Sequence, residues 1–284
     1  MISSCVLCKS KTFIKIFNVK EFPVFPFIKN RKQMTFGEIN IVRCKVCGHM
    51  FNKSFDQELI NKLYTTDFIT NSPVSQSMIK SIEFMKDWLL NLFKNKKVEN
   101  VLEIGGGSGS LALSFLADVK NYVMIEPSNE KNCNYLNKKG VKAINDIFPS
   151  KKIPEIKYDL VISRQVLEHI QDPETFLKSI RRFCNNETLV YIEIPSAEYI
   201  LDNNSISDFH YPHVHYYKNN HIKFLFNKLG FKIIKDKLIK NGHDIGFVLK
   251  LNDKLKPVLP KNQKIKVLTL KNNLKKNKNL KVCL

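Results

Sequence analysis

The chain has 284 residues, 43% apolar and 25% charged, with 46 Lys and Arg against 26 Asp and Glu for a formal net charge of +20. That balance excludes a disordered polymer, and no run approaches the roughly 18 apolar residues of a membrane helix. Only five of the cations are Arg, and residues 252–284 hold ten Lys against one Asp, so +9 of the excess lies in that stretch. Planar phosphate recognition favours Arg, and nucleic acid is therefore not the expected partner. The opening MISSCVLCKS lacks a signal-peptide core, which predicts a cytoplasmic protein with no membrane insertion.

In chain order, the first feature is a pair of identical motifs, Cys5-x-x-Cys8 and Cys44-x-x-Cys47. Each Cys-x-x-Cys turn supplies half of a tetrahedral thiolate shell, so the four cysteines predict a structural zinc ion in a small domain over residues 1–55. Four thiolates leave no open position for catalysis by that ion. Cys133, Cys184 and Cys283 read as ordinary single residues, and His49 and His221 as surface or knuckle residues.

Helices are predicted over 56–64 and about 74–95, the second with a Met78, Ile82, Met85, Leu89, Leu92 stripe and an Asn71-Ser72-Pro73 start. Residues 56–97 thus read as a helical linker and lid. Strands and helices then alternate. Strands fall at 98–104, 122–126, 141–146, 158–163 and 188–194, with helices at 110–117, 128–139, 173–183 and 219–229. Continuous apolar strands separated by helices predict a parallel α/β sheet covered on both faces. FKIIKDKLI and IGFVLKL read as a hairpin closing its edge, and 252–284 as a loosely attached basic tail.

Gly105-Gly106-Gly107 sits where the first strand of the sheet turns into its helix, where glycines let a ligand approach the backbone and free N–H groups. Glu103, ahead of the glycines, can face a cationic amino group. Glu126 ends the next strand, as a ribose-hydroxyl acceptor should. Asp146 ends the third, where a carboxylate can accept from an adenine amino group.

These residues, with YDLVISRQVLEHIQDPETFL, resemble the class I S-adenosylmethionine-dependent methyltransferases, whose Rossmann-like domain would span 98–251. The resemblance implies that Glu103 takes the methionine amino group, Gly105, Gly106 and Gly107 the cofactor backbone, Glu126 the ribose, and Asp146 with Ile147 the adenine. The added cysteine module and the Tyr64–Phe68 link look like bacterial sugar methyltransferases, including C-3′-methyltransferases of nucleotide-linked keto-sugars. Those carry a Tyr-His-Glu-His segment where this chain has His210-Tyr211-Pro212-His213, so only His213 is retained. Their His-Gly-Gly-Ser is replaced by Asn241-Gly242-His243-Asp244. O-methylation of a nucleotide-linked sugar is thus at least as expected as C-methylation, with an RNA methyltransferase as the alternative. Removing a proton from such an acceptor suits a histidine. His213 is the first candidate, with His210, His215 and His169 behind it.

Overall fold

A computed structural model of the chain describes residues 1–24, 35–64, 76–94, 96–127 and 130–262. The Asn71-Ser72-Pro73 helix start and the Tyr64–Phe68 link past Tyr64 lie outside these residues. At the N-terminus, β1 (Phe13–Pro23) and β2 (Phe36–Cys44) form an antiparallel pair, and β3 (Met50–Asn52) adds to β2. Helices α1 (Gln57–Tyr64) and α2 (Gln76–Asn91) follow. Of the α2 stripe, Met85 and Leu89 are buried.

The remaining elements alternate as the apolar pattern dictates. They are β4 (Asn100–Ile104), α3 (Ser110–Phe115), β5 (Asn121–Ile125), α4 (Glu130–Lys138), β6 (Lys142–Ile144), β7 (Leu160–Arg164), α5 (Pro173–Arg181) and β8 (Leu189–Pro195). β4 to β8 pair in parallel. Every residue of β8 is buried, as expected of a strand covered on both faces. Along β4 the side chains alternate: Leu102 and Ile104 join the core beneath α5, while Val101 joins the core beneath α2, α3 and α4. α5 starts where Asp172 accepts the Thr175 N–H at 3.1 Å and Pro173 takes the first turn.

After α6 (Ala197–Asp202), a short β9 (His215–Tyr216) leads into α7 (Asn219–Lys228), β10 (Phe231–Ile239) and β11 (Asp244–Leu251). The large sheet has the order β10-β11-β8-β7-β4-β5-β6. The closing hairpin is therefore not simply appended. Its second strand inserts antiparallel to β8, and the first becomes the outer edge. The two polypeptide halves are also stitched together, because β9 pairs antiparallel with β3 and completes the small sheet. Ile39, Ile41, Phe51 and Phe55 of the N-terminal part share one continuous core with Val190, Ile192 and Leu225. Residue 55 is thus a change of motif rather than a gap in packing.

The stretch from 252 is held more firmly than a loose tail. Asn252 donates to the Gly230 carbonyl at 2.8 Å, and Asp253 pairs with Arg181 at 2.5 Å. Asn262 reaches the second cysteine turn, hydrogen-bonding Val46 O and Lys45 O. Residues 263–284 lie outside the described part. No helix among the described residues is long and apolar enough to cross a membrane.

Candidate active site

The first half of the site lies beyond the carboxyl ends of β4, β5 and β6. Gly105 and Gly107 both adopt positive φ, +75° and +55°, which glycine tolerates best. A Cβ at Gly105 would fall 2.3 Å from Val166 and one at Gly106 2.3 Å from Met124, whereas one at Gly107 would meet nothing within 4 Å. The loop is thus packed below and open above Gly107. Glu126 Oε2 accepts the Gly107 N–H at 2.8 Å, which places the acid of β5 against the glycine turn. Glu103 is buried under the same turn and accepts from the Tyr122 hydroxyl at 2.9 Å. Burial pushes its pKa up to about 7, against the opposing pull of Tyr122 and Arg164. Asp146 is occupied within its own turn: it accepts from the Ile147 N–H and the Ser150 hydroxyl, both at 2.8 Å, and Lys152 lies 3.2 Å away. The Ser150 hydrogen bond leads the causes that hold its carboxyl below the usual range. Ile147 is exposed beside it.

The second half lies beyond β7 and β8, built from segments far apart in sequence. β7 ends in Gln165 at φ +53°, a left-handed turn in a non-glycine residue, and a 3₁₀ turn over Leu167–His169 follows. This turn drives Glu168 inward and sets His169 beside it. The Glu168 carbonyl accepts the Val214 N–H at 2.8 Å, fixing the loop that carries His213 against the turn. Glu168 Oε1 lies 3.8 Å from His169 Nε2 and 3.9 Å from His213 Nε2. The His210 ring sits 3.7 Å from that of His213, centroid to centroid. Burial keeps the His169 pKa down at about 3 and that of His213 well below the imidazole range.

Three of the four histidines singled out from the sequence, His169, His210 and His213, are thus brought together, and the fourth, His215, lies elsewhere. It faces the cysteine module, with Nδ1 3.1 Å from His49 Nε2, while His221 Nε2 lies 2.9 Å from the Cys47 carbonyl. Of the two positions expected for His49 and His221, surface or knuckle, the structure gives the knuckle: both are buried there, and α7 packs His221 directly under the second cysteine turn.

Two features had no signal in the sequence. Glu168 reads there only as part of a helix entry, and its role follows from the burial of both oxygens. Asp208 and Asp244 flank His243, at 3.2 Å from Nε2 and 2.6 Å from Nδ1. Burial opposes charging of that ring, and the two carboxylates outweigh it and raise its pKa. Behind them Glu193 on β8 is buried and accepts from Arg164 and from the Tyr191 hydroxyl.

The four cysteine sulfurs converge. Cys5 and Cys47 Sγ are 3.6 Å apart, Cys8 and Cys44 Sγ 3.4 Å, and all four lie within 4.8 Å of one another. A tetrahedron with Zn–S bonds of ~2.3 Å has edges of about 3.8 Å, so the donor set suits zinc in both type and spacing. Gly48, at φ +82°, closes the second turn.

Glycine turn, strand-end acids and the order of the seven strands together define a nucleotide-cofactor methyltransferase fold. A family profile described as a methyltransferase domain matches residues 78–236, over half of the chain. The protein belongs to this family and is an S-adenosylmethionine-dependent methyltransferase. Among solved structures, it is similar to an S-adenosylmethionine-dependent methyltransferase from Clostridium acetobutylicum at 15% identity and TM-score 0.50, covering 63% of this chain and 93% of that one. A protein from Pyrococcus horikoshii aligns at 16% identity and TM-score 0.51 over the same shares. At such identities the likeness concerns the fold. No curated protein sequence matches the chain.

Proposed function

We propose that the protein transfers the methyl group of S-adenosylmethionine to a hydroxyl, or a carbon, of a small nucleotide-linked sugar in surface-polysaccharide or secondary-metabolite synthesis. The observation that carries this reading is the enclosed histidine cluster around Glu168, roofed by a loop whose strand belongs to the cysteine module. With His213 only 7% exposed, the acceptor position suits a small molecule better than a nucleic-acid strand. The sequence likeness to sugar methyltransferases points the same way.

In this reading Glu103 pairs with the methionine amino group, the backbone of Gly105, Gly106 and Gly107 holds the amino-acid part of the cofactor, Glu126 accepts from the ribose, and Asp146 with Ile147 recognises adenine. S-adenosylmethionine supplies an electrophilic methyl on a sulfonium, so the chain's own task is to position the two reactants and accept the acceptor's proton. His213, His210 and His169 form the proton-accepting side. Zinc held by Cys5, Cys8, Cys44 and Cys47 is structural, and residues 1–55, 56–97 and 98–251 act as module, linker and methyltransferase domain.

The test is incubation with S-adenosylmethionine and a panel of nucleoside-diphosphate sugars, read by mass spectrometry. A product heavier by one methylene supports the reading. Tight binding of S-adenosylhomocysteine with no product from any nucleotide sugar overturns the sugar assignment.

A further inference from the structure

Glu168 is 1% exposed, and neither of its carboxylate oxygens has a hydrogen-bond partner among the described residues. A buried carboxylate left this way is costly unless something positive reaches it. Lys240 attracts it without a hydrogen bond, and the two nearest rings give it none. His169 Nδ1 lies 3.0 Å from the Pro212 carbonyl, which can only accept. With its proton on Nδ1, between that carbonyl and the Tyr64 hydroxyl 3.3 Å away, the ring turns the Nε2 lone pair toward Glu168 Oε1, 3.8 Å away. Two acceptors face each other, and His213 Nε2 is a third nitrogen 3.9 Å from the same oxygen. These separations are too long for hydrogen bonds. They fall within the roughly 3–4 Å that separates donors each bound at about 2.1 Å to one ion. The three donor atoms lie within 4.8 Å of one another, all on buried or partly buried side chains.

We propose that Glu168, His169 and His213 form a binding site for a divalent first-row transition-metal ion, separate from the four-cysteine site. Two imidazoles and a carboxylate suit that series rather than magnesium or calcium, which take oxygen donors. The supporting shell is in place: Pro212 fixes the His169 tautomer, and the Val214–Glu168 main-chain bond locks the two ligand-bearing segments together. Three protein donors leave positions for an oxygen of the acceptor, and His210, whose ring is tilted 45° against that of His213, is the imidazole the ion does not occupy. Ion binding stands by itself; only the ion's part in holding the acceptor rests on the function proposed above.

The test uses the full-length protein with zinc retained by the cysteines, titrated with Co²⁺ alone and followed by visible absorption. The expected result is weak d–d bands saturating at one Co²⁺ per chain, without the intense thiolate charge-transfer absorption that cobalt at the cysteines would add. Glu168→Gln and His169→Ala should each weaken this binding roughly a hundredfold while still binding S-adenosylhomocysteine, which shows that they are folded. A folded wild type with no such bands, or variants that bind Co²⁺ as tightly as wild type, overturns the site. Cobalt binding by a protein that methylates no nucleotide sugar upholds the metal site and overturns the acceptor reading instead.

Discussion

The proposed cofactor half and the proposed acceptor half of this site are built on opposite plans. On the cofactor side Glu103, the glycines and Glu126 lie within 24 consecutive residues on two adjacent parallel strands, and their contacts are local and main-chain based. On the acceptor side Glu168, His210, His213 and His243 come from three segments, and the loop bearing two of them is anchored on the cysteine module through β3. The difference teaches that the cofactor site needs only the large sheet, whereas the acceptor site exists only if the N-terminal module is folded.

The strongest way to break that comparison is to strip the zinc proposed for the cysteines. Chelation, or Cys44→Ser, should cost the module folding energy on the order of 10 kcal/mol, by analogy with other four-ligand zinc sites. Hydrogen exchange should then rise sharply over β1 to β3 and β9, while S-adenosylhomocysteine titration still shows binding. Loss of both together would mean one folding unit, not two plans.

The mirror experiment acts on the other half. Glu126→Ala removes a charged acceptor and should weaken S-adenosylhomocysteine by about a hundredfold in calorimetry, since hydrogen bonds to charged groups are worth roughly 1.5–3 kcal/mol. Exchange protection in β9 should stay unchanged. Gly37→Ala probes the seam: its Cβ would fall 2.2 Å from the buried Tyr211 ring, beside His210. Overpacking there should lower stability by about 1–3 kcal/mol, read as a drop in Tm, with cofactor affinity retained.

Glu103 gives the pH dependence of the cofactor half. Its pKa is pushed up to about 7 in the free protein, and only the ionised form can pair with a cationic amino group. Affinity for S-adenosylhomocysteine should therefore be full above pH 7 and fall up to about tenfold per unit as the pH drops below it. Glu103→Gln should bind weakly with no such slope. The smallest effect is expected of Asn262→Ala, which removes the side-chain hydrogen bond to the Lys45 carbonyl and keeps the main-chain bond to Val46, and should lower Tm by the equivalent of about 1 kcal/mol.

The same contrast explains what could be read from the sequence. Every strand of the large sheet was legible: burial on both faces forces continuous apolar runs such as LVYIEI in its centre, and the mostly exposed edge strand β10 was read as part of a hairpin. The cysteine pairs were legible because metal geometry fixes their spacing. His169, His210 and His213 were found from residue type and position, and the structure brings them together. Glu168 was not, because an acid beside a helix start is ordinarily solvated, and only the fold of Gln165–His169 turns it inward. His49 and His221 were left open between surface and knuckle for the same reason: 172 residues separate them, and nothing local announces that α7 will bury one against the other.

The pairing of Met50 with Tyr216 and of Phe51 with His215 bears on how such enzymes can be recombined. A chimera that exchanges the first 55 residues for those of a relative would leave β9 without its mate and the histidine loop without its frame. The unit that can be inherited or transplanted intact is discontinuous: the cysteine module together with residues 205–217.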